Sequence, residues 1–196
     1  MKIYIDKAQQ DGKHELKHDY FIEQGCELVF LPLPEGDYVL QDERFEDMIN
    51  EKLSRNMKIS KNDISFSNYI SVDTKRNIQE VIGNICGKSH LRFRDECKRA
   101  MHKNVTFYVL VENTDGVKTV DDLNSWKNPR LNKTKWITTA SGERRKVLTN
   151  KDATSGETLA KAMKTMEERY GVKFLFCTPE ESGKKVLELL KNMYNE

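Results

Sequence analysis

The chain has 196 residues, enough for one large α/β domain with a sizeable core. Its 33 Lys plus Arg against 31 Asp plus Glu leave a net charge of +2, which excludes a global electrostatic drive toward nucleic acid and leaves only local patches to supply one. No apolar run approaches the ~20 residues that span a bilayer, and no signal-like apolar core follows the N-terminus, so a soluble, intracellular protein is expected.

In chain order, residues 2–5 read as a short strand, 13–24 as a helix stopped by Gly25, and 27–33 as an apolar strand closed by Pro32, Pro34 and Gly36. Asp37 then opens a second short strand through Val39 and Leu40, and the two strands are expected to form a hairpin. His14 and His18, four apart on the first helix, read as surface residues, with a metal or phosphate contact as the alternative. Residues 41–67 carry six acidic and five basic residues around Phe45, Met48, Ile49 and Leu53 at helical spacing, which predicts a helical insertion, either a solvated elaboration or a lid.

Tyr69, Ile70 and Val72 favour a strand, and Ile78, Val81, Ile82 and Ile85 fall at helical spacing after it. Side chains alternate along a strand, so Asp73 and Lys75 emerge on the same face at the strand end. If the Asp37 strand pairs with this one, two carboxylates and an ammonium meet. Carboxylates converging on one point need a cation, and hard oxygen ligands favour Mg²⁺ or Mn²⁺. Such an ion acidifies water and neutralises charge on a phosphodiester, while a lysine beside it orients the water. The bland alternative is a solvated salt bridge at a strand end.

The helix from Asn77 is expected to pause near Gly87 and resume over residues 90–102, where Arg92, Arg94, Lys98 and Arg99 either track a phosphate backbone or form a solvated face. Residues 105–111 read as a central strand buried on both faces. Residues 113–155 lose apolar periodicity. Between Lys127 and Lys151 the eight basic residues Lys127, Arg130, Lys133, Lys135, Arg144, Arg145, Lys146 and Lys151 face one acid, Glu143, with Trp126 and Trp136 interleaved in the segment. This is the best DNA-contact surface in the sequence, able to pair phosphates and stack a base, unless both tryptophans are core residues.

Leu159, Ala162, Met163 and Met166 mark another helix, with Ser155 as its cap. Residues 172–176 read as a strand, and Val186, Leu189, Leu190 and Met193 as a last helical face, ending at about Lys191. Cys26, Cys86, Cys97 and Cys177 lack Cys-x-x-Cys spacing and read as reduced structural thiols; the set Cys86, His90, Cys97 and His102 does not fit a zinc spacing.

Taken together, Ile3-Tyr4-Ile5-Asp6, Gly36-Asp37-Tyr38, Asp73-Thr74-Lys75 and the run Phe174 to Ser182 resemble the XPF-type structure-selective endonucleases of the PD-(D/E)xK superfamily, over most of the chain. The resemblance implies a restriction-endonuclease-like three-layer α/β/α domain with a mixed central sheet, spanning residues 1–196 as a single nuclease-like domain. It implies a metal held by Asp37, Asp73 and the main-chain carbonyl of Thr74, with Lys75 assisting the water and Asp6 as an additional carboxylate. The implied substrate is branched, flap or junction DNA, containing single strands. Ala8 and Gln9 stand where the family carries Arg and Glu, Thr74 replaces Arg, and Gln79 falls where a later Asp belongs, with Glu80 one position beyond. No tandem helix-hairpin-helix module follows the last helix, so selectivity is expected from a homodimer or a partner protein. The stand-alone form is similar to nucleases of bacterial and phage genomes, where recombination or repair is the setting. Two other readings stay open: a catalytically lapsed DNA-binding module, and a protein-binding or small-molecule-binding α/β domain that keeps the acids for structure.

Overall fold

The computed structural model describes residues 1–10, 12–150 and 152–191; Lys151 and Met193 lie outside the described residues. The elements are β1 (Lys2–Asp6), α1 (Glu15–Glu23), β2 (Glu27–Leu31), β3 (Tyr38–Leu40), α2 (Glu43–Ser54), β4 (Ile70–Lys75), α3 (Ile78–Ile85), α4 (His90–His102), β5 (Thr106–Glu112), β6 (Thr134–Thr138), β7 (Arg144–Leu148), α5 (Gly156–Tyr170), β8 (Lys173–Cys177) and α6 (Ser182–Lys191).

Six strands form one mixed sheet in the order β2-β1-β3-β4-β5-β8. β1 pairs parallel with β2 and antiparallel with β3, β3 pairs antiparallel with β4, and β4, β5 and β8 run parallel. The expected hairpin between residues 27–33 and 37–40 is therefore not formed, because β1 lies between them. The apolar run ends in a parallel pairing, and Pro32 and Pro34 carry the chain past β1 rather than into a tight turn. Strand β5 is fifth of six rather than central, yet it is largely buried because it is flanked by β4 and β8 and covered by helices on both faces.

Alternation along the strands divides the core in two. One apolar cluster joins Ile3, Ile5, Tyr38 and Val72 to Phe21 of α1 and Val186, Leu187 and Leu190 of α6. The other joins Tyr4, Val39, Val109 and Val111 to residues of α2, α3, α4 and α5. The result is a three-layer α/β/α arrangement. Helix α2 belongs to this core rather than standing off it as a lid: Phe45 is fully buried, stacked on Tyr4 and edge-on to Tyr69.

Ser155 caps α5 by accepting a hydrogen bond from Thr158 N, and Gly156 lets the 123–126 turn approach, since a Cβ there would lie 2.1 Å from Leu123 O. Between Asn113 and this cap the chain forms a separate two-stranded sheet, β6 antiparallel to β7, where the sequence shows no strand periodicity. The hairpin does not sit over the core, so nothing imposes an apolar alternation on it. Among the described residues no helix is long and apolar enough to cross a membrane.

Candidate active site

The antiparallel pairing of β3 with β4, with Tyr38 opposite Val72, aligns the start of β3 with the end of β4. Asp37 stands just before β3 and its main chain ties three strands together: its carbonyl accepts from Asp6 N at 2.9 Å, and its N–H donates to Val72 O at 2.9 Å. Asp6, Asp37 and Asp73 thus gather at the ends of neighbouring strands, in the wall of one cleft of about 830 Å³.

The Asp37 carboxylate accepts from both Thr74 N, at 2.9 Å, and Thr74 Oγ1, at 2.6 Å. Thr74 therefore fixes the acid. Asp73 and Lys75 share a face, as strand alternation requires, and Lys75 Nζ lies 2.5 Å from Asp73 Oδ2 and 5.7 Å above the Phe93 ring. Asp73 is only 5% exposed. Burial, with the negative charges of Asp37 and Glu96 adding to it and Lys75 opposing, pushes its carboxyl up to about 8. For Lys75, burial acts downward, but the attraction of Asp73, Asp37 and Glu96 outweighs it and holds the ammonium charged.

Asp6 lines the cleft with its carboxylate already engaged: Oδ1 accepts from Leu33 N at 3.2 Å, and Oδ2 faces Lys61 Nζ at 3.5 Å. Glu80 also lines it, accepting from Arg76 N at 3.0 Å. Gln79, in place of a later acid, donates to Asn128 Oδ1 at 2.8 Å and so ties α3 to the segment leading into the β6–β7 hairpin. His14 and His18 are half-buried rather than surface residues, because both rings pack around the Tyr38 hydroxyl at 3.3 and 3.4 Å. Burial lowers the affinity of both imidazoles for a proton.

Two acids that the motif pattern did not single out complete the site. Glu96 Oε1 accepts from Gly36 N at 3.0 Å. Glu35, fully buried, accepts from Tyr69 Oη at 2.7 Å and pairs with Lys103 Nζ at 3.1 Å, while Arg99 Nη2 donates to Pro34 O at 3.3 Å. One face of α4, continued by Lys103, therefore clamps residues 34–37 from the side of the cleft. The signal was present in the spacing: Arg92, Glu96, Arg99 and Lys103 follow at intervals of four, three and four, one helical stripe. Of the basic residues of this helix, Arg92 and Arg99 line the cleft, while Arg94 is turned to Asp95 at 2.9 Å.

Arg130 also lines the cleft, whereas Lys127, Lys133, Lys135, Arg144, Arg145 and Lys146 are exposed along the segment and hairpin beyond it. The two tryptophans part company. Trp126 is half-buried with Nε1 donating to Asp115 Oδ2 at 2.8 Å, and Trp136 is 61% exposed.

Among the described residues no three His, Cys, Asp or Glu side chains are grouped closely enough to hold a metal ion by themselves. The donors at hand are oxygens, and the carboxylates of Asp37 and Glu96 beside the buried Asp73 put negative charges near one another that a cation would offset. Such a set fits an ion that binds through one or two carboxylates and keeps several waters.

No protein-family model matches the sequence, and no curated protein matches it. Among solved structures, XPF from Aeropyrum pernix superposes with a TM-score of 0.55 at 12% identity, over 100% of this chain and 66% of that one. XPF from Aeropyrum pernix in complex with DNA gives 0.53 at 13% identity, over 99% of this chain and 65% of that one. The fold is shared with XPF. The chain spans about two thirds of the length of those XPF chains, and at this identity the likeness is one of fold.

Proposed function

We propose that this protein is a metal-dependent endonuclease that hydrolyses phosphodiester bonds of DNA, with branched, flap or junction DNA as substrate. The observation that carries the reading is the meeting of Asp37 and Asp73, with Lys75 beside them, in a cleft of a fold shared with XPF. Asp37 and Asp73, with the main-chain carbonyl of Thr74, hold Mg²⁺ or Mn²⁺. When bound, that cation lowers the pKa of water and stabilises negative charge on the phosphate.

The chain does the rest. Thr74 keeps Asp37 in one rotamer through two hydrogen bonds. Lys75, kept charged by its acidic neighbours, orients the attacking water and steadies the phosphate oxygens. Arg92, Arg99 and Arg130 offset the charge of the flanking phosphates, and the exposed cations from Lys127 to Lys146 extend that track. Asp6 positions the turn before Leu33 and Lys61 rather than competing for the ion. Selectivity for junctions is assigned to a homodimer or a partner protein, in recombination or repair inside the cell.

A second reading is a DNA-binding protein that has lost cleavage. The observation in its favour is that Ala8, Gln9 and Gln79 replace charged members of the pattern and that, among the described residues, no third carboxylate closes on Asp37 and Asp73. Incubating the protein with labelled flap, fork, four-way-junction and linear DNA, in Mg²⁺, Mn²⁺ or EDTA, separates the two. Cutting that needs the metal and falls at least ~100-fold in Asp37→Asn and Lys75→Ala, with binding kept, is the expected result. Binding without cutting makes the protein a lapsed nuclease. Neither binding nor cutting overturns both readings.

A further inference from the structure

The β6–β7 hairpin carries a surface that its own fold does not explain. In its register Trp136 stands opposite Lys146, Thr134 opposite Leu148 and Thr138 opposite Arg144. Because directly opposed residues share a face, Trp136, Leu148, Lys146 and Arg144 all project from one side, and the Arg144 guanidinium lies 5.7 Å from the Trp136 ring centroid. Trp136 is 61% and Leu148 44% exposed on this side. The opposite side carries Ile137 and Val147, which are half-buried, so the tryptophan stands on the more exposed side of the hairpin.

An indole left in water on a small two-stranded sheet contributes nothing to a core, and Trp126 shows the alternative in the same chain, packed and hydrogen-bonded to Asp115. The cations around Trp136 have no carboxylate within ion-pair distance among the described residues, so the face is apolar at its centre and positive at its rim. The base of the hairpin is fixed to the cleft. Asn128 is buried, receives Gln79 from α3 and donates to Thr154 O at 2.7 Å, and Arg130, two residues on, lines the cleft itself. Along the chain Lys133 and then β6, which carries this face, follow directly from Arg130.

We propose that the Trp136 face of the hairpin is a stacking platform for a single-stranded DNA segment that emerges from the cleft, with Trp136 under a base and Arg144 and Lys146 on the neighbouring phosphates. A single strand is favoured over a duplex because an exposed indole needs the flat face of an unpaired base, which a paired duplex keeps stacked inside. The inference rests on DNA being the ligand of the cleft, but it concerns binding and not cleavage.

The two tryptophans make the test direct. The whole protein is titrated in EDTA with a dT₁₅ oligonucleotide, a blunt duplex of equal charge, inorganic polyphosphate and anionic lipid vesicles, following tryptophan emission. Trp136→Phe isolates the Trp126 signal and, by difference, that of Trp136. Expected is quenching of the Trp136 component by dT₁₅ and a roughly tenfold loss of dT₁₅ affinity in Trp136→Leu, with Trp136→Phe recovering most of it. Arg144→Gln with Lys146→Gln should weaken binding while leaving the quenching at saturation. Equal binding of dT₁₅ by wild type and Trp136→Leu overturns the proposal, as does quenching by polyphosphate, duplex or vesicles to the same extent. Because Trp136 is exposed, unchanged thermal unfolding in Trp136→Leu certifies the comparison. Quenching by dT₁₅ in a protein that cuts nothing would sink the nuclease reading alone; cutting that survives intact in a variant with unaltered dT₁₅ binding sinks this one alone.

Discussion

Gly36 shows how much of the site hangs on a single residue. It has φ of +68°, and a Cβ at that position would lie 2.3 Å from Ser71 Oγ and 3.2 Å from the Val72 carbonyl carbon, so only glycine lets the chain press against β4 immediately before Asp37. Gly36→Ala is expected to destabilise the protein by about 2–4 kcal/mol, from left-handed strain plus a displaced loop, and to reduce cleavage beyond what lost stability explains. Urea unfolding and activity measured side by side check this; an alanine variant as stable as wild type would show that the loop can yield. Ser71→Ala in the same chain should recover only part of the loss, because the Val72 main chain remains in the way. Asp73 carries the complementary lesson: its position on the strand face follows from alternation, but its raised proton affinity follows first from its burial in the folded chain and then from Asp37 and Glu96, which arrive from elsewhere in the chain.

At the scale of elements, the segment after α2 is held by a side-chain clip. Asp63 receives Lys52 from α2 at 2.7 Å, and Ser60 through both N–H, at 2.8 Å, and hydroxyl, at 2.9 Å. The Lys52 hydrogen bond first, and then those of Ser60, lower its carboxyl to about 2. A carboxyl depressed in the folded state stabilises it above the unfolded pKa of 3.8, and that contribution is lost as the pH falls through about 2. Backbone hydrogen exchange of residues 57–63 should therefore quicken between pH 4 and pH 2 in the wild type, relative to the intrinsic rates. In Asp63→Asn it should be fast already at pH 7, with that pH step gone, and Lys61 should lose its hold on Asp6. Most helices and strands were legible from their periods, because amphipathic patterns record which side meets the core. The β6–β7 hairpin was not, since a sheet lying off the core has no face that must be apolar.

For the whole molecule, a net charge of +2 means that any affinity for DNA must depend on where the cations stand and not on how many there are. The salt dependence of oligonucleotide binding should reflect the local track alone. Replacing Arg144 and Lys146 together by Gln is expected to reduce the slope of log K against log salt by about 1.4, at roughly 0.7 per single-strand phosphate contact, with thermal stability unchanged. Fluorescence anisotropy between low and moderate salt reads this, and an unaltered slope would remove the hairpin from the DNA path. By itself the sequence determined the α/β class, the order of most elements, the pairing of Asp73 with Lys75 on one face, and the basic composition of residues 127–146. These are local properties, written in residue type and spacing. Only the tertiary structure decided that β1 separates β2 from β3, that α4 clamps the Asp37 loop through Glu96 and Arg99, and that Trp126 is packed while Trp136 stands in solvent. Each of those depends on which distant segments come together, and contacts between residues far apart in the chain leave no period in it.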